Sequence, residues 1–490
     1  MPGITIVGLG PGNPHHLTRE AWEVLNAARE IYLRTARHPT VAGLPAHLAL
    51  HSFDDLYESI ADFAQVYETI AEKVLDLGTR AEGVLYGVPG HPHVAEASVA
   101  LIRARAAARS LSVRLVSGIS FLEPALEALG LDALPHLQIA DALDLAARHH
   151  PPFHPDAPAL VAQVYSPALA SDVKLTLMNQ YPDDHAVALV HAVGTSEEKV
   201  ERLPLYAIDR SPHIAHLTAL YVPPLPQASA FETFQNTIAH LRAPDGCPWD
   251  REQDHQTLRT NLLEETYEVL AAIDADDPAA MREEFGDLLL QIVLHSQIAL
   301  ESGEFTLAEV IAGIQAKIIR RHPHVFGDAR TRVNGVGEVL ANWEKLKAAE
   351  RVAAGHSAEK PDKGVLGTVP PALPALMQAD TYQHRAARVG FDWPDISGVK
   401  AKLHEEIAEV EAAGEGPETE AEIGDLLFAV VNLARWLKVD PESALRSANA
   451  KFARRFRQVE LAAQAQGKEM KQMSLEELDG LWNEAKRGEG

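Results

Sequence analysis

Residues 231 to 490 carry one order of motifs written twice. The first copy has Glu264, Glu265 and Glu268, then Glu284 and Asp287, then "KIIRRHPHVF" from Lys317, then "NWEKLKAAE" around Trp343. The second has Glu405, Glu406 and Glu409, then Glu422 and Asp425, then "KFARRF" from Lys451, then "LWNEAKRGE" around Trp482. Chance repetition of a helix-rich composition rarely keeps four elements in order, so the region reads as a tandem duplication that folds as two like modules. Long Ala-, Leu-, Glu- and Arg-rich stretches with apolar residues at helical spacing predict that both modules, 231–350 and 371–490, are all-α. The stretch "RVAAGHSAEKPDKGVLGTVPPALP" between them is rich in Gly and Pro and predicts a linker over 351–370.

The chain before the repeats has a different texture. "ITIVGLG", "GVLYGVPG", "SVRLVSG", "PALVAQVYS" and "AVALVHAVG" are short apolar runs ending in turn residues, separated by longer helical segments. That alternation predicts an α/β domain over 1–224 with a mainly parallel sheet, and the three prolines of "LYVPPLPQAS" mark its exit. The fold class expected is therefore multidomain, an N-terminal α/β domain followed by two all-α modules.

The acids need a chemical explanation. Glu264 and Glu268 share a helix face with Glu265 beside them, while Leu262, Leu263, Thr266, Val269, Leu270 and Ile273 cover the other side. Acids four apart repel, at a cost of a few tenths of a kcal/mol. From Phe285 to Leu294 the next helix is apolar almost all round, which predicts burial, yet Glu284 and Asp287 sit at its start. "EIGDLLFAVVNLA" repeats that arrangement with Glu422 and Asp425. Carboxylates at the edge of a core need a base or a metal. Neither acidic pair of helices offers a Lys or Arg within one turn on the acidic face, apart from Arg282, so a cation is the expected partner. The donors are all hard oxygens, which favours Mg²⁺ or Mn²⁺ over zinc. A magnesium site of this kind usually serves a phosphate substrate. Lys317, Arg320 and Arg321, and Lys451, Arg454 and Arg455, supply counter-charge at helical spacing. Trp343 with Lys347, and Trp482 with Lys486, close each unit; either tryptophan can stack on a base or pack in a core. The "HPH" pairs, His91 with His93 and His322 with His324, lack a third zinc ligand, and Cys247 reads as a packed thiol.

The pattern EExxE, a gap, then ExxD resembles the all-α nucleoside triphosphate pyrophosphohydrolases, and in its wording the MazG branch. "LRAPDGCPWDREQDHQTLRTNLLEETYEV", "EEFGDLLLQIVLHSQIA" and "KIIRRHPHVFGD" look like the first MazG domain; "KLHEEIAEVEAA", "EIGDLLFAVVNLAR" and "ALRSANAKFARRF" look like the second. The resemblance implies helical modules that pair into a homodimer, and water attack on the α-phosphate of a nucleoside triphosphate, giving the monophosphate and pyrophosphate. Carried over by motif, Glu264, Glu265, Glu268, Glu284 and Asp287, with Glu405, Glu406, Glu409, Glu422 and Asp425, would be metal ligands. Glu264, Glu265, Glu405 and Glu406 would also include the catalytic, water-orienting groups. Lys317, Arg320, Arg321, Trp343, Lys451, Arg454, Arg455, Trp482 and Lys486 would face substrate. The N-terminal domain resembles the tetrapyrrole (corrin/porphyrin) methylases, whose cofactor is S-adenosylmethionine. The stretches that carry this likeness place Gly8, Gly10, Pro11, Gly12, Gly87, Val88, Pro89, Gly90, Ser117 and Gly118 as candidate cofactor contacts. Where those methylases commonly read Gly-Asp-Pro, this chain has Gly87-Val88-Pro89. A methylase-like domain before two MazG repeats is an architecture of the YabN type.

Charge and cysteine content bound the remaining classes. A formal net charge of -25 opposes general binding of nucleic acid or a membrane surface. One cysteine rules out an internal disulfide framework, and no apolar run is long enough to span a bilayer, so a cytoplasmic location is expected. Two other readings stay open: an S-adenosylmethionine-dependent methyltransferase regulated by its repeats, and a non-catalytic nucleotide-sensing scaffold.

Overall fold

A computed structural model of the protein describes residues 2–60, 62–327, 335–339, 342–343, 346, 364–367, 369–414 and 416–488. Lys347 and most of the expected linker lie outside the described residues. Contacts divide the chain into two compact units, Met1–Cys247 and Pro248–Gly490, and the Phe231–Arg242 helix falls in the first.

The first unit holds two five-stranded sheets rather than the single sheet expected. One contains β1 (Ile4–Gly8), β2 (Glu30–Leu33), β3 (Ala49–Ser52), β4 (Val84–Val88) and β5 (Val113–Val116) in the order β3-β2-β4-β1-β5, all parallel. A parallel sheet must be covered on both faces, and β1 shows how. Ile4 and Ile6 pack with Ile70 and Val74 of the Phe63–Gly78 helix, while Val7 packs with Leu25 of the Arg19–Ala27 helix. The second sheet contains β6 (Gln138–Asp141), β7 (Ala159–Ala162), β8 (Ala186–His191), β9 (Lys199–Pro204) and β10 (Thr218–Val222) in the order β6-β7-β10-β8-β9. Only β6 and β7 pair in parallel there. The five apolar runs of the sequence are β1, β4, β5, β7 and β8. The strands they leave out include β3, exposed along its length, and β9, which carries three charged residues, so neither shows an apolar run.

The second unit is helical. Arg259–Asp274 packs along Pro278–Glu301, and their counterparts Ile396–Ala412 and Pro417–Trp436 pack in the same way. Caps fix where these helices start. Asp277 accepts from the amides of Ala279 and Ala280, and Thr306 with Glu309 forms a capping box at the head of Leu307–Arg321. Across the repeats, Arg446 of the Pro441–Ala465 helix reaches Asp274 at 3.2 Å. The apolar helix expected to be buried all round is buried at Val293, Leu294 and Ile298, yet Phe285 is 50% and Ile292 45% exposed. Among the described residues the Leu307–Arg321 helix likewise leaves Val310, Ile311, Ile314 and Ile318 exposed. No helix among the described residues is long and apolar enough to cross a membrane.

Candidate functional site

Two helices meet to build each acidic cluster. In the first repeat Glu265 and Glu268, one turn apart, face Glu284 of the next helix, with one carboxylate oxygen from each lying within 4.8 Å of the others. Partial burial raises the Glu265 carboxyl above its usual range, and the charges of Asp287, Glu268 and Glu284 add to it. Glu284 is raised by the same two effects, burial first and then Glu268 and Asp287. Asp287 is thus close enough to be felt, although it is not one of the three converging ligands. Glu264 is exposed and outside the group. The sequence pairs Glu264 with Glu268 at a spacing of four; the structure pairs Glu265 with Glu268 at a spacing of three.

The second repeat reproduces this with Glu406, Glu409 and Glu422. Glu409 is raised by burial and by the Glu406 charge. Here the expectation of no base on the acidic face is overturned. Lys402, one turn earlier on the same helix, lies 2.7 Å from Glu406 and 2.9 Å from Glu405, and these contacts push the lysine pKa up. Lys402 stands three and four residues before Glu405 and Glu406, the spacing at which a helix brings side chains together. Glu406 is the most buried member, at 4% exposure, and its Oε2 has no hydrogen-bond partner. Buried carboxylate oxygens are rarely left without a donor or a cation. Asp425 and Glu405 are exposed, and Glu405 takes its contact from Lys402.

The basic residues occupy other helices. Lys317, Arg320 and Arg321 lie on Leu307–Arg321, and the Arg321 guanidinium stands 5.3 Å over the Trp343 ring. Lys451, Arg454 and Arg455 lie on Pro441–Ala465. Trp482 stands 5.2 Å from Phe452 with the rings tilted and packs against the cluster of Val459, Ala463 and Leu481, while Lys486 is exposed on the same helix. Of the two roles open to Trp482, core packing is the one the structure displays.

In the first unit, the loops after β1, β4 and β5 converge on backbone alone. A Cβ on Gly8 would stand 2.6 Å from the Gly118 nitrogen and from the Gly90 oxygen, and one on Gly118 would collide with that same oxygen. Gly10 and Gly90 exchange amide hydrogen bonds of 3.3 and 2.8 Å, both at positive φ. Beside this crossing lies a pocket lined by Pro11, Pro89 and Gly90 at the carboxyl ends of the parallel strands, where open α/β sheets place their ligands. Of the other candidates, Gly87 packs against Ile31 and Leu33, Val88 is fully buried in the core, and the Ser117 carbonyl accepts from Thr18. Gly12, at positive φ, packs towards Thr195.

Sequence reasoning missed the polar half of this pocket. Arg34, at the end of β2, pairs with the buried Glu96 at 3.3 Å, and Glu96 also accepts from Ser98, itself bonded to Tyr86. Burial lowers the Arg34 pKa and the Glu96 carboxylate raises it, the net direction being upward. His38 is pushed down to about 4 by burial, with the charges of Arg34 and His216 adding to it. These residues come from three separate segments, around the end of β2, from β4 to the helix after it, and before β10, and only the basic run "YLRTARH" across the end of β2 gave any signal in the sequence.

Comparison with known proteins agrees with both halves. The profile of the MazG nucleotide pyrophosphohydrolase domain matches residues 253–326, and that of the tetrapyrrole (corrin/porphyrin) methylases matches residues 3–209. The YabN protein of Bacillus subtilis is 42% identical over 99% of this chain and 99% of its own. The chain belongs to the YabN-type MazG family. The nucleoside triphosphate pyrophosphohydrolase/pyrophosphatase MazG of Thermotoga maritima is 44% identical over 53% of this chain and 96% of its own. The nucleoside triphosphate pyrophosphohydrolase of Escherichia coli K12 is 46% identical over 51% of this chain and 95% of its own. Among solved structures, the cobalt precorrin-4 methyltransferase CbiF aligns with 45% of this chain and 94% of its own at 15% identity and a TM-score of 0.35. The uroporphyrin-III-C-methyltransferase of Thermus thermophilus aligns with 46% and 94% at 23% identity and a TM-score of 0.35.

Proposed function

We propose that the chain is a divalent-metal-dependent nucleoside triphosphate pyrophosphohydrolase acting through its second unit. The observation that carries this reading is the three-carboxylate cluster built twice from equivalent helix positions, with Glu406 Oε2 buried and unpartnered in one copy. Glu265, Glu268 and Glu284, with Asp287 beside them, and Glu406, Glu409 and Glu422, with Asp425 on the same helix, would hold Mg²⁺ or Mn²⁺. The raised carboxyls of Glu265, Glu284 and Glu409 fit that assignment, since like charges packed together favour a cation among them. Bound metal supplies water activation and neutralises the leaving pyrophosphate. Glu264 and Glu405, next to the clusters but outside them, would accept the proton of water attacking the α-phosphate, Glu405 on release from Lys402. Lys317, Arg320, Arg321, Lys451, Arg454, Arg455 and Lys486 would meet the phosphates, and Trp343 the base.

The test is product analysis of the full chain with a panel of NTPs and dNTPs. Monophosphate plus pyrophosphate, lost on chelation and abolished in the Glu268→Ala/Glu409→Ala double variant, is expected; diphosphate plus phosphate, or unchanged turnover in that variant, would sink the reading.

A second activity has its own support in the glycine crossing of Gly8, Gly90 and Gly118, which brings bare backbone to a pocket edge. We assign S-adenosylmethionine to that pocket. Titration calorimetry of the full chain with S-adenosylmethionine checks this, and absence of heat with no thermal shift would remove it.

A further inference from the structure

The pocket beside the glycine crossing opens into a second one of about 340 Å³, and the two share Arg34, His38, Pro89, Gln163, His216 and Leu217. That volume lies in the range of small-ligand sites. One wall is aromatic. Tyr57 stands 6.2 Å from Phe63 and 6.4 Å from Tyr67, and Phe63 stands 5.7 Å from Tyr165, so a continuous band runs from the helical cover of the first sheet to the loop after β7. Such a band offers faces on which a planar ring system can stack.

The opposite wall is polar, and its acid is already occupied. Asp54 accepts from the Thr35 hydroxyl at 2.6 Å and the Ala36 amide at 2.9 Å, while Glu96 of the adjoining pocket takes Arg34 and Ser98. Its polar atoms are not all used. The Arg34 Nε donor is buried without a partner, and so is Nδ1 of His38, a residue only 4% exposed whose nitrogen donates in one tautomer. A guanidinium N–H can be satisfied only by an acceptor, so a ligand completing this wall must bring oxygen or nitrogen lone pairs to it. Arg37, whose pairing with Glu58 is at the surface and therefore weak, can turn to the same place.

We infer that this second pocket binds a nucleoside monophosphate, with phosphate oxygens on Arg34 Nε, His38 and Arg37 and the base against Tyr57, Phe63, Tyr67 and Tyr165. An acid joined to one planar ring system satisfies both walls. The choice of a nucleotide among such acids rests on the pyrophosphohydrolase reading, in which the second unit releases this product. The pocket would let the first unit respond to what the second makes.

Calorimetry on the full chain in EDTA, with AMP, GMP, CMP and UMP and their deoxy forms, tests this without metal-dependent binding at the acidic clusters. Saturable binding of at least one is expected. It should weaken about tenfold or more in Arg34→Gln, through the loss of a charge-assisted bond. Because that change leaves Glu96 buried without its base and can unfold the unit, Arg37→Gln, at an exposed position, serves as the second variant; loss of affinity there too is expected. No binding of any monophosphate overturns the proposal. Binding that survives both arginine variants but is lost in Glu268→Ala/Glu409→Ala overturns it as well, by placing the nucleotide in the second unit. Uroporphyrin III binding in place of the monophosphates would show a tetrapyrrole pocket instead. None of these results depends on whether triphosphates are hydrolysed, which product analysis reads separately.

Discussion

Lys402 makes the two acidic clusters unequal. The first copy has Asn261 at the equivalent position, three residues before the paired glutamates, so its carboxylates have no base there. In the second copy an ammonium already neutralises part of the Glu406 charge. A metal entering there must displace or outcompete that contact, whereas one entering the first copy need not. Manganese titration of the full chain followed by electron paramagnetic resonance is expected to resolve two classes of site. Lys402→Met should tighten the weaker class about three- to tenfold, the effect of one partly exposed charged contact. Identical affinities in the native chain would contradict the asymmetry. His38 offers a second prediction at this scale. Its folded pKa of about 4 lies below the ordinary 6.5, so its contribution to stability is full above pH 6.5 and is lost as pH falls towards 4, where only the unfolded chain has taken the proton. The first unit should melt at lower temperature at pH 5 than at pH 7, and His38→Asn should flatten that slope. An imidazole titrating near 6.5 by nitrogen NMR of labelled histidines would refute the assignment.

At the scale of the element, what could be read in advance followed from periodicity. That the acidic stretches are helices was legible from their 3.6-residue spacing, and in the structure Glu265 and Glu268 lie on the same side as the buried Val269 and Ala272. Which glutamate turns inward was not legible, because Glu264 and Glu265 both lie within reach of the neighbouring helix and tertiary packing chooses between them. The first unit was less transparent. Its pocket is assembled from the ends of β2, β4 and β7 and the loop before β10, and no local pattern relates Arg34 to Gln163 or His216. The glycines signalled close approach of backbone but not its target, which is another glycine loop. Helix starts, by contrast, were written locally. Thr306 accepts from the Glu309 amide while the Glu309 carboxylate takes the Thr306 amide at 2.7 Å, and this pulls the glutamate pKa down. Thr306→Ala is expected to cost about 1 kcal/mol in urea unfolding of the second unit, and Thr306→Asn much less. Equal losses from both would show that methyl packing, and not the cap, holds this turn.

For the whole molecule, the apolar surface that the described residues leave on the second unit is the feature to test. Phe285, Leu289 and Ile292 line one helix at spacings of four and three, and Val310, Ile314 and Ile318 line the next at spacings of four. Stripes of that kind are how helices present themselves to another helix, and the MazG resemblance implies a homodimer. The formal charge of -25 works against self-association. Its reach is short, however, since the Debye length is about 8 Å at physiological ionic strength, whereas apolar burial is not screened. A dimer held by these stripes and opposed by net charge has a distinctive salt response. Light scattering should give twice the 53.3 kDa chain mass at 150 mM salt and a concentration-dependent lower mass at 10 mM. Ile314→Glu combined with Ile318→Glu should give a monomer at both. An interface built on ion pairs would behave in the opposite sense, weakening as salt rises, and a chain monomeric under all conditions would leave the stripes to some other partner.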